Sequence, residues 1–269
     1  MNAIEHKMVT ILKKLKNEYG VYQIKAEFEA EASRVEELMR LKDVISKADL
    51  PLVLKIGGVE AITDIYMGLS LGANGIVAPM AETPFAVEKF LNAITTFVPE
   101  DNAKDIEFAI NVETKTAFEN FDAMLKLKDI NKLSSFTVGR VDLVSSLGLS
   151  RNNIEDKEIT EKVEGIFQKA QDSGFKTALG GGISVDAIEN ISYFVQKKLI
   201  NKFETRKVVF SASVDTGILK EGILNAVTFE YLWLVSKRRY YGRAKAEDEN
   251  RIPMIEQRMR EQGVEPPKI

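Results

Sequence analysis

The chain has 269 residues, 45% hydrophobic and 29% charged, with a net charge of -3. That balance supports a sizeable soluble core and offers no basic surface for nucleic acid or an anionic membrane. It has no cysteine and a single histidine, His6, which excludes disulfides, thiolate or histidine-rich metal sites and Ser-His-Asp chemistry.

The N-terminal residues alternate acid and base, and no stretch approaches about 20 apolar residues. The expectation is a cytoplasmic protein with no signal peptide and no membrane span. Residues 8–12, set among lysines, read either as a helix or as a concealed strand. Residues 21–28 are the first clear strand. A helix follows over 33–47, with Val35, Leu38, Met39 and Val44 at three- and four-residue spacing and Ser33 as its N-cap. Strands then fall at 52–56, 75–79, 106–112, 135–139, 176–179 and 207–211. The helical patterns between and after them cover 59–71, 84–97, 115–128, 155–173, 185–198 and 218–235. Thr83 before Pro84 and Ser184 before Asp186 read as caps.

Strict alternation implies parallel strands joined by crossover helices. The expected architecture is α/β, a TIM (β/α)8 barrel with a C-terminal helical arm. Seven strands are clear, and residues 8–12 are the candidate for the eighth. An open doubly wound sheet is the alternative, weakened by the lack of a G-x-G-x-x-G turn after the first strand. The domain reading is a barrel over 1–237 and a helical extension over 238–269. The extension carries a helix at 254–262 that ends at Gly263 and Pro266-Pro267. It is either a solvated surface helix or an arm on a neighbouring subunit of a homo-oligomer, anchored by Tyr240 and Tyr241. Trp233 reads as helix-to-barrel packing and His6 as a solvated helix residue.

Side chains alternate between the two faces of a strand. Tyr22, Ile24, Ala26 and Phe28 share one face, while Lys25, Glu27 and Glu29 share the other. Val53 and Lys55 likewise oppose Leu52, Leu54 and Ile56. Ala109, Asn111 and Glu113 oppose Phe108, Ile110 and Val112, and Arg140 and Asp142 follow the strand at 135–139. In a barrel these charges gather at the C-terminal mouth, where barrel enzymes place their chemistry. Glu113 and Asp142 come from consecutive strands. Without histidine or cysteine such a pair favours a hard cation, Mg²⁺ or Mn²⁺. An internal salt-bridge network, Lys25 with Glu27 or Lys55 with Glu113, is the structural alternative. Gly180-Gly181-Gly182 could turn its amides toward a substrate anion, or simply form a tight turn before Ser184.

These motifs, in order from about residue 21 to 219, resemble those of the HpcH/HpaI aldolase and citrate lyase β-subunit family. Ile24-Lys25-Ala26-Glu27 is similar to the family's I-D-x-E strand, and Gly72–Met80 to its G-A-x-G-I-x-x-P segment. Val112-Glu113-Thr114 with Ala117 and Asn120 resembles I-E-T-x-x-A-x-x-N. Gly139, Asp142-Leu143 and Leu147-Gly148 resemble G-x-x-D-L-x-x-x-L-G, and Ser213-Val214-Asp215-Thr216 the segment that closes the last strand. The resemblance implies a barrel of the phosphoenolpyruvate/pyruvate type, makes 21–28 its second strand and puts the uncertain one ahead of it. It implies Glu113 and Asp142 as metal ligands and carbon–carbon bond cleavage or formation through a metal-stabilised enolate of a 2-oxo acid. Two positions depart from the family. Phe28 stands where its aldolases carry a base histidine, and Lys55 where they carry a carboxylate-binding arginine. The implied roles are therefore Lys55 or Arg140 facing the substrate acid group and Glu27, Glu29 or a metal-bound hydroxide as base. Lys25, Asn111, Gly181 and Gly182 complete the substrate side. A Schiff-base aldolase using Lys25 or Lys55, and a non-catalytic binding or assembly barrel, are the alternative functions.

Overall fold

The computed structural model describes residues 1–267. Its chain opens with α1 (Ala3–Glu18), so residues 8–12 are helical and the concealed strand is not there. Met8, Val9, Leu12 and Leu15 are buried along one face of α1, the spacing of an amphipathic helix. The Asn2 side chain accepts from the Ile4 and Glu5 amides at 2.9 and 3.0 Å, while Glu5 accepts from the Asn2 amide at 2.7 Å. This reciprocal cap satisfies amides that an open helix end leaves bare.

The first half of the barrel follows as β1 (Val21–Glu27), α2 (Val35–Lys47), β2 (Leu52–Lys55), α3 (Ile62–Ser70), β3 (Gly75–Ala78), α4 (Pro84–Phe97), the short α5 (Glu100–Lys104) and β4 (Glu107–Val112). The second half is α6 (Lys115–Met124), β5 (Ser135–Gly139), α7 (Arg140–Ser146), α8 (Lys157–Asp172), β6 (Lys176–Gly180), α9 (Ile188–Gln196), β7 (Lys202–Glu204), β8 (Val208–Ser211) and α10 (Leu219–Glu261). Thr83 and Ser184 cap as expected, accepting from the Ala86 and Asp186 amides at 3.1 and 3.2 Å. The cap of α2 is Arg34 rather than Ser33, and its amide donates to Glu37 at 3.2 Å. The helix expected from 59 starts only at Ile62.

The eight strands form a closed barrel in the order β1 to β8, which rules out the open sheet. Strands β1 through β7 pair in parallel, but β8 runs antiparallel to both β7 and β1. Two expectations are corrected here. The eighth strand is β7, whose three residues Lys-Phe-Glu are too few and too charged to show an apolar run. The all-parallel arrangement fails at β8, because only Thr205, Arg206 and Lys207 separate it from β7. A parallel crossover needs a dozen or more residues, whereas a hairpin needs only a few. Thr205 tightens that hairpin, its amide donating to the Val208 carbonyl at 2.9 Å and its hydroxyl accepting from the Val208 amide at 3.1 Å. Val21–Glu27 is thus the first strand of the barrel rather than the second, and β8 closes the barrel against it.

The main core lies between the outer strand faces, including Ile24, Ala26, Leu54, Ile110 and Val138, and the surrounding helices. Inside the barrel Val53, Val77 and Ala109 form a separate small apolar group. Much of the remaining interior is polar, as the strand alternation predicts. Gln23 donates to Glu107 at 3.1 Å, and Lys202 lies 3.6 Å from the same carboxylate.

Helix α10 has 43 residues and continues through Pro253. Phe229 and Trp233 are buried on its inner face, consistent with packing rather than ligand binding. Tyr240 and Tyr241 contact α2 of the same chain. The Arg40 guanidinium sits 4.9 Å from the Tyr240 ring centre, and the Tyr241 hydroxyl donates to Glu37 at 2.7 Å. His6 is exposed on α1. Among the described residues no helix is long and apolar enough to cross a membrane.

Candidate active site

The C-terminal strand ends open into a cavity of about 420 Å³. Its walls carry six carboxylates, Glu27, Glu29, Glu113, Asp142, Glu204 and Glu230, against four cations, Lys25, Lys55, Arg151 and Arg206. An enclosed excess of negative charge is costly unless a cation offsets it.

Glu113 stands just past β4 and is almost completely buried. Its Oε1 accepts from the Met80 amide at 3.0 Å and its Oε2 from the Asn111 side-chain amide at 3.0 Å. Met80 has φ 50, a left-handed conformation that a residue with a side chain adopts at some cost and that recurs at functional sites. Here it turns the Met80 N–H onto the carboxylate. Gly139 supplies the space, since a Cβ there would lie 2.4 Å from Glu113 Oε2. Burial pushes the Glu113 carboxyl above its ordinary range, and the Asp142 charge pushes the same way. Lys55, the Met80 amide and Asn111 oppose this without overcoming it. Asp142 is half-buried in the first turn of α7, and β4 and β5 pair through Val112 and Val138 just below the two carboxylates.

These residues fit a divalent cation. The donors are hard oxygens, the pair is only partly compensated by Lys55, and the buried Asn111 Oδ1 beside Glu113 has no hydrogen-bond partner. Among the described residues no group of three or more His, Cys, Asp or Glu side chains converges as a metal site. A pair of carboxylates is nevertheless what Mg²⁺ commonly takes from a protein, its other positions going to water and substrate oxygens.

The lysines are committed to carboxylates. Lys25 Nζ lies 2.6 Å from Glu204 and 3.4 Å from Glu27. Lys55 Nζ lies 2.9 Å from Glu29 and 4.0 Å from Glu113. Burial works against both ammonium charges, but the neighbouring carboxylates outweigh it and hold both lysines above their ordinary range. Glu27 is the converse: Lys25, Lys55, Arg206 and Lys207 overcome its burial and keep it below the carboxylate range.

Nine of the ten residues singled out from sequence line this cavity: Lys25, Glu27, Glu29, Lys55, Asn111, Glu113, Asp142, Gly181 and Gly182. The tenth, Arg140, does not. It is the first residue of α7, buried behind the wall, where its guanidinium meets Glu155 at 2.9 Å and the Gly181 carbonyl at 3.2 Å. The helix starts at Arg140, so strand parity no longer governs where that side chain points. Gly181 has φ 74, and a Cβ on it would stand 2.4 Å from the Arg140 amide; its glycine is required by this close approach to α7. Phe28 packs against the outer core. Sequence reasoning did not single out Glu204, Arg206, Arg151 or Glu230. The first two belong to the strand and turn that carried no pattern, and Glu230 lies within an otherwise amphipathic helix.

Fold and mouth together define an α/β-barrel with an acid-rich pocket. The sequence profile of the HpcH/HpaI aldolase/citrate lyase family matches residues 27–196, and the chain belongs to this family, one of aldolases and lyases. No curated protein sequence matches the chain. Among solved structures it is similar to an HpcH/HpaI aldolase from Desulfitobacterium hafniense DCB-2. That match has 15% identity and a TM-score of 0.59 and covers 74% of this chain and 81% of the other. It is also similar to the citrate synthase SbnG, at 18% identity and TM-score 0.60, covering 83% and 89%. An HpcH/HpaI aldolase/citrate lyase family protein from Burkholderia cenocepacia J2315 matches at 14% identity and TM-score 0.57, covering 74% and 82%. At these identities the likeness establishes the fold.

Proposed function

We propose that this chain is a divalent-metal-dependent carbon–carbon lyase of aldolase type acting on a 2-oxo acid or related carboxylate. The observation that carries the reading is the buried, under-compensated Glu113 carboxylate beside Asp142 in the acid-rich mouth. Mg²⁺ or Mn²⁺ bound there supplies Lewis acidity toward the carboxylate and carbonyl oxygens of the oxo acid. Glu113, fixed by Met80 and Asn111, and Asp142 hold the ion.

The substrate's acid group calls for a free cation. Lys55 is already neutralised by Glu29, whereas Arg151 lines the rim and forms no ion pair among the described residues. Its planar guanidinium can grip a carboxylate with two parallel hydrogen bonds. Glu27, held below the ordinary range by four cations, is a poor proton acceptor. Glu29 is the stronger candidate for the base. Burial pushes Glu230 above the ordinary range against the pull of Arg206 and Lys207, which suits it to holding a proton at the opposite wall. The Schiff-base alternative is disfavoured because Lys25 and Lys55 are kept as ammonium ions, and a charged amine is not a nucleophile.

The test combines calorimetry with turnover. Mn²⁺ binding strengthened by oxalate, and pyruvate release from a 4-hydroxy-2-oxo acid that EDTA stops, are expected for the wild type. Both should be lost in Glu113→Gln and Asp142→Asn. Absence of Mg²⁺ and Mn²⁺ binding with and without oxalate would leave a non-catalytic binding barrel. Turnover that survives EDTA with borohydride trapping would return the chemistry to a lysine.

A further inference from the structure

The mouth of the barrel has two walls of different charge. In the closed order β1 to β8, the ends of β4 and β5 lie across the barrel from β8 and β1. Glu113 and Asp142 therefore share one wall, and Arg151, in the segment joining α7 to α8, belongs to the same side. The facing wall is built from the ends of β7, β1 and β2, with α10 over its rim. It carries Glu27, Glu29, Glu204 and Glu230 against Lys25, Lys55 and Arg206.

Each cation of the facing wall already has a carboxylate. Lys25 lies against Glu204 and Glu27, Lys55 against Glu29, and Arg206 Nη1 is 3.9 Å from Glu27. Lys207, the other cation that acts on Glu230, is buried against Glu31. Glu230 is the carboxylate left over. It is half-buried, and among the described residues its side chain makes no ion pair and no hydrogen bond. The hairpin accounts for its position: Thr205, Arg206 and Lys207 turn the chain straight back without a crossover helix, and α10 brings Glu230 to this rim.

On the metal wall, a divalent cation and one substrate acid group bring Glu113, Asp142 and Arg151 to neutrality. On the facing wall four carboxylates meet three cations. One negative charge stays in a partly enclosed place, where it is costly unless a cation offsets it. An oxo acid chelated at Glu113 and Asp142 extends toward that wall across a cavity of about 420 Å³.

We propose that the site takes a 2-oxo acid whose far end, the half released as an aldehyde, carries an ammonium group that pairs with Glu230. The proposal rests on the metal-dependent lyase reading and adds the class of substrate to it. An ammonium group supplies both the missing charge and hydrogen-bond donors. A hydroxyl end would bond to Glu230 without balancing it, and a carboxylate end would add a second negative charge to the wall. The order of preference is therefore ammonium, hydroxyl, carboxylate.

Oxamates carry the test, because their adjacent oxygens chelate a divalent ion as an oxo acid does and their nitrogen accepts a tail. Probes with short alkyl tails ending in ammonium, hydroxyl or carboxylate are titrated calorimetrically into the Mn²⁺-loaded protein. The ammonium probe should bind on the order of tenfold more tightly than the hydroxyl probe, and the carboxylate probe most weakly. Glu230→Gln should erase the ammonium advantage while plain oxamate binds as it does to wild type. Glu230→Lys should turn the order around in favour of the carboxylate probe. Circular dichroism checks that both variants stay folded. A wild type that binds the three probes equally or in another order, or an ammonium preference that survives Glu230→Gln, would overturn this proposal and leave the metal reading standing. Failure of plain oxamate and every probe to bind with Mn²⁺ would overturn both.

Discussion

Glu113 combines burial, a neighbouring carboxylate and only partial compensation, and the sign of its pH effect follows. Its folded-state affinity for a proton exceeds its unfolded one, so stability falls as pH rises from the ordinary carboxylate range through the raised value. Glu113→Gln removes that loss. The Asn111 amide can turn its unpartnered Oδ1 toward the new NH₂ group. The metal-free variant should therefore melt above wild type near pH 8, by roughly 2–4 °C for each kcal/mol recovered. The gap should close on acidification, and thermal scans at several pH values check it. Added Mn²⁺ should raise the melting temperature of the wild type and not of the variant. Gly139→Ala tests the same carboxylate by shape. Its methyl would meet Glu113 Oε2 at 2.4 Å, so Mn²⁺ affinity should drop while the backbone, which is not left-handed there, tolerates alanine. Calorimetry on the variant reads this directly.

Among the elements, the turn from β5 into α7 decides which charged side chains reach the cavity. Asp142 faces inward and Arg140 backward, where it ties the end of β6 to Glu155, which also accepts from Asn190 at the start of α9. Arg140 acts on the scaffold, so Arg140→Met should cost about 1–3 kcal/mol by leaving the Gly181 carbonyl unpaired and Glu155 with Asn190 alone. Urea unfolding measures that cost, and KM for the oxo acid is expected to change little. Arg151→Ala is the contrast: KM should rise with stability nearly unchanged, as read by initial rates and the same urea titration. The seven strands with apolar runs were legible because each buries one face. β7 was not, since three residues bracketed by charge bury theirs only once β6 and β8 flank them.

For the whole molecule, the barrel interior is held by ion pairs where most barrels rely on branched apolar layers. Lys25 neutralises Glu204 and Glu27 together, so Lys25→Met strands the buried Glu204, leaves Glu27 to Arg206 and the remaining lysines, and should cost about 3–5 kcal/mol. Glu27 sits below the ordinary range when folded. It therefore adds stability above that range, and the contribution disappears as pH falls through its depressed value. Acid unfolding monitored by circular dichroism should begin at a higher pH in Lys25→Met than in wild type.

The sequence by itself determined the barrel class, the inward parity of Lys25, Glu27, Lys55, Asn111 and Glu113, and a carboxylate following each of two consecutive strands. Each of these depends on local periodicity, which the chain writes residue by residue. Only the tertiary structure decided that β8 closes the barrel backward, that Arg140 leaves the mouth, and that Glu204, Arg206, Arg151 and Glu230 enter it. Those outcomes depend on where a three-residue turn, a helix start and a distant helix face fall in space. No spacing along the chain encodes that.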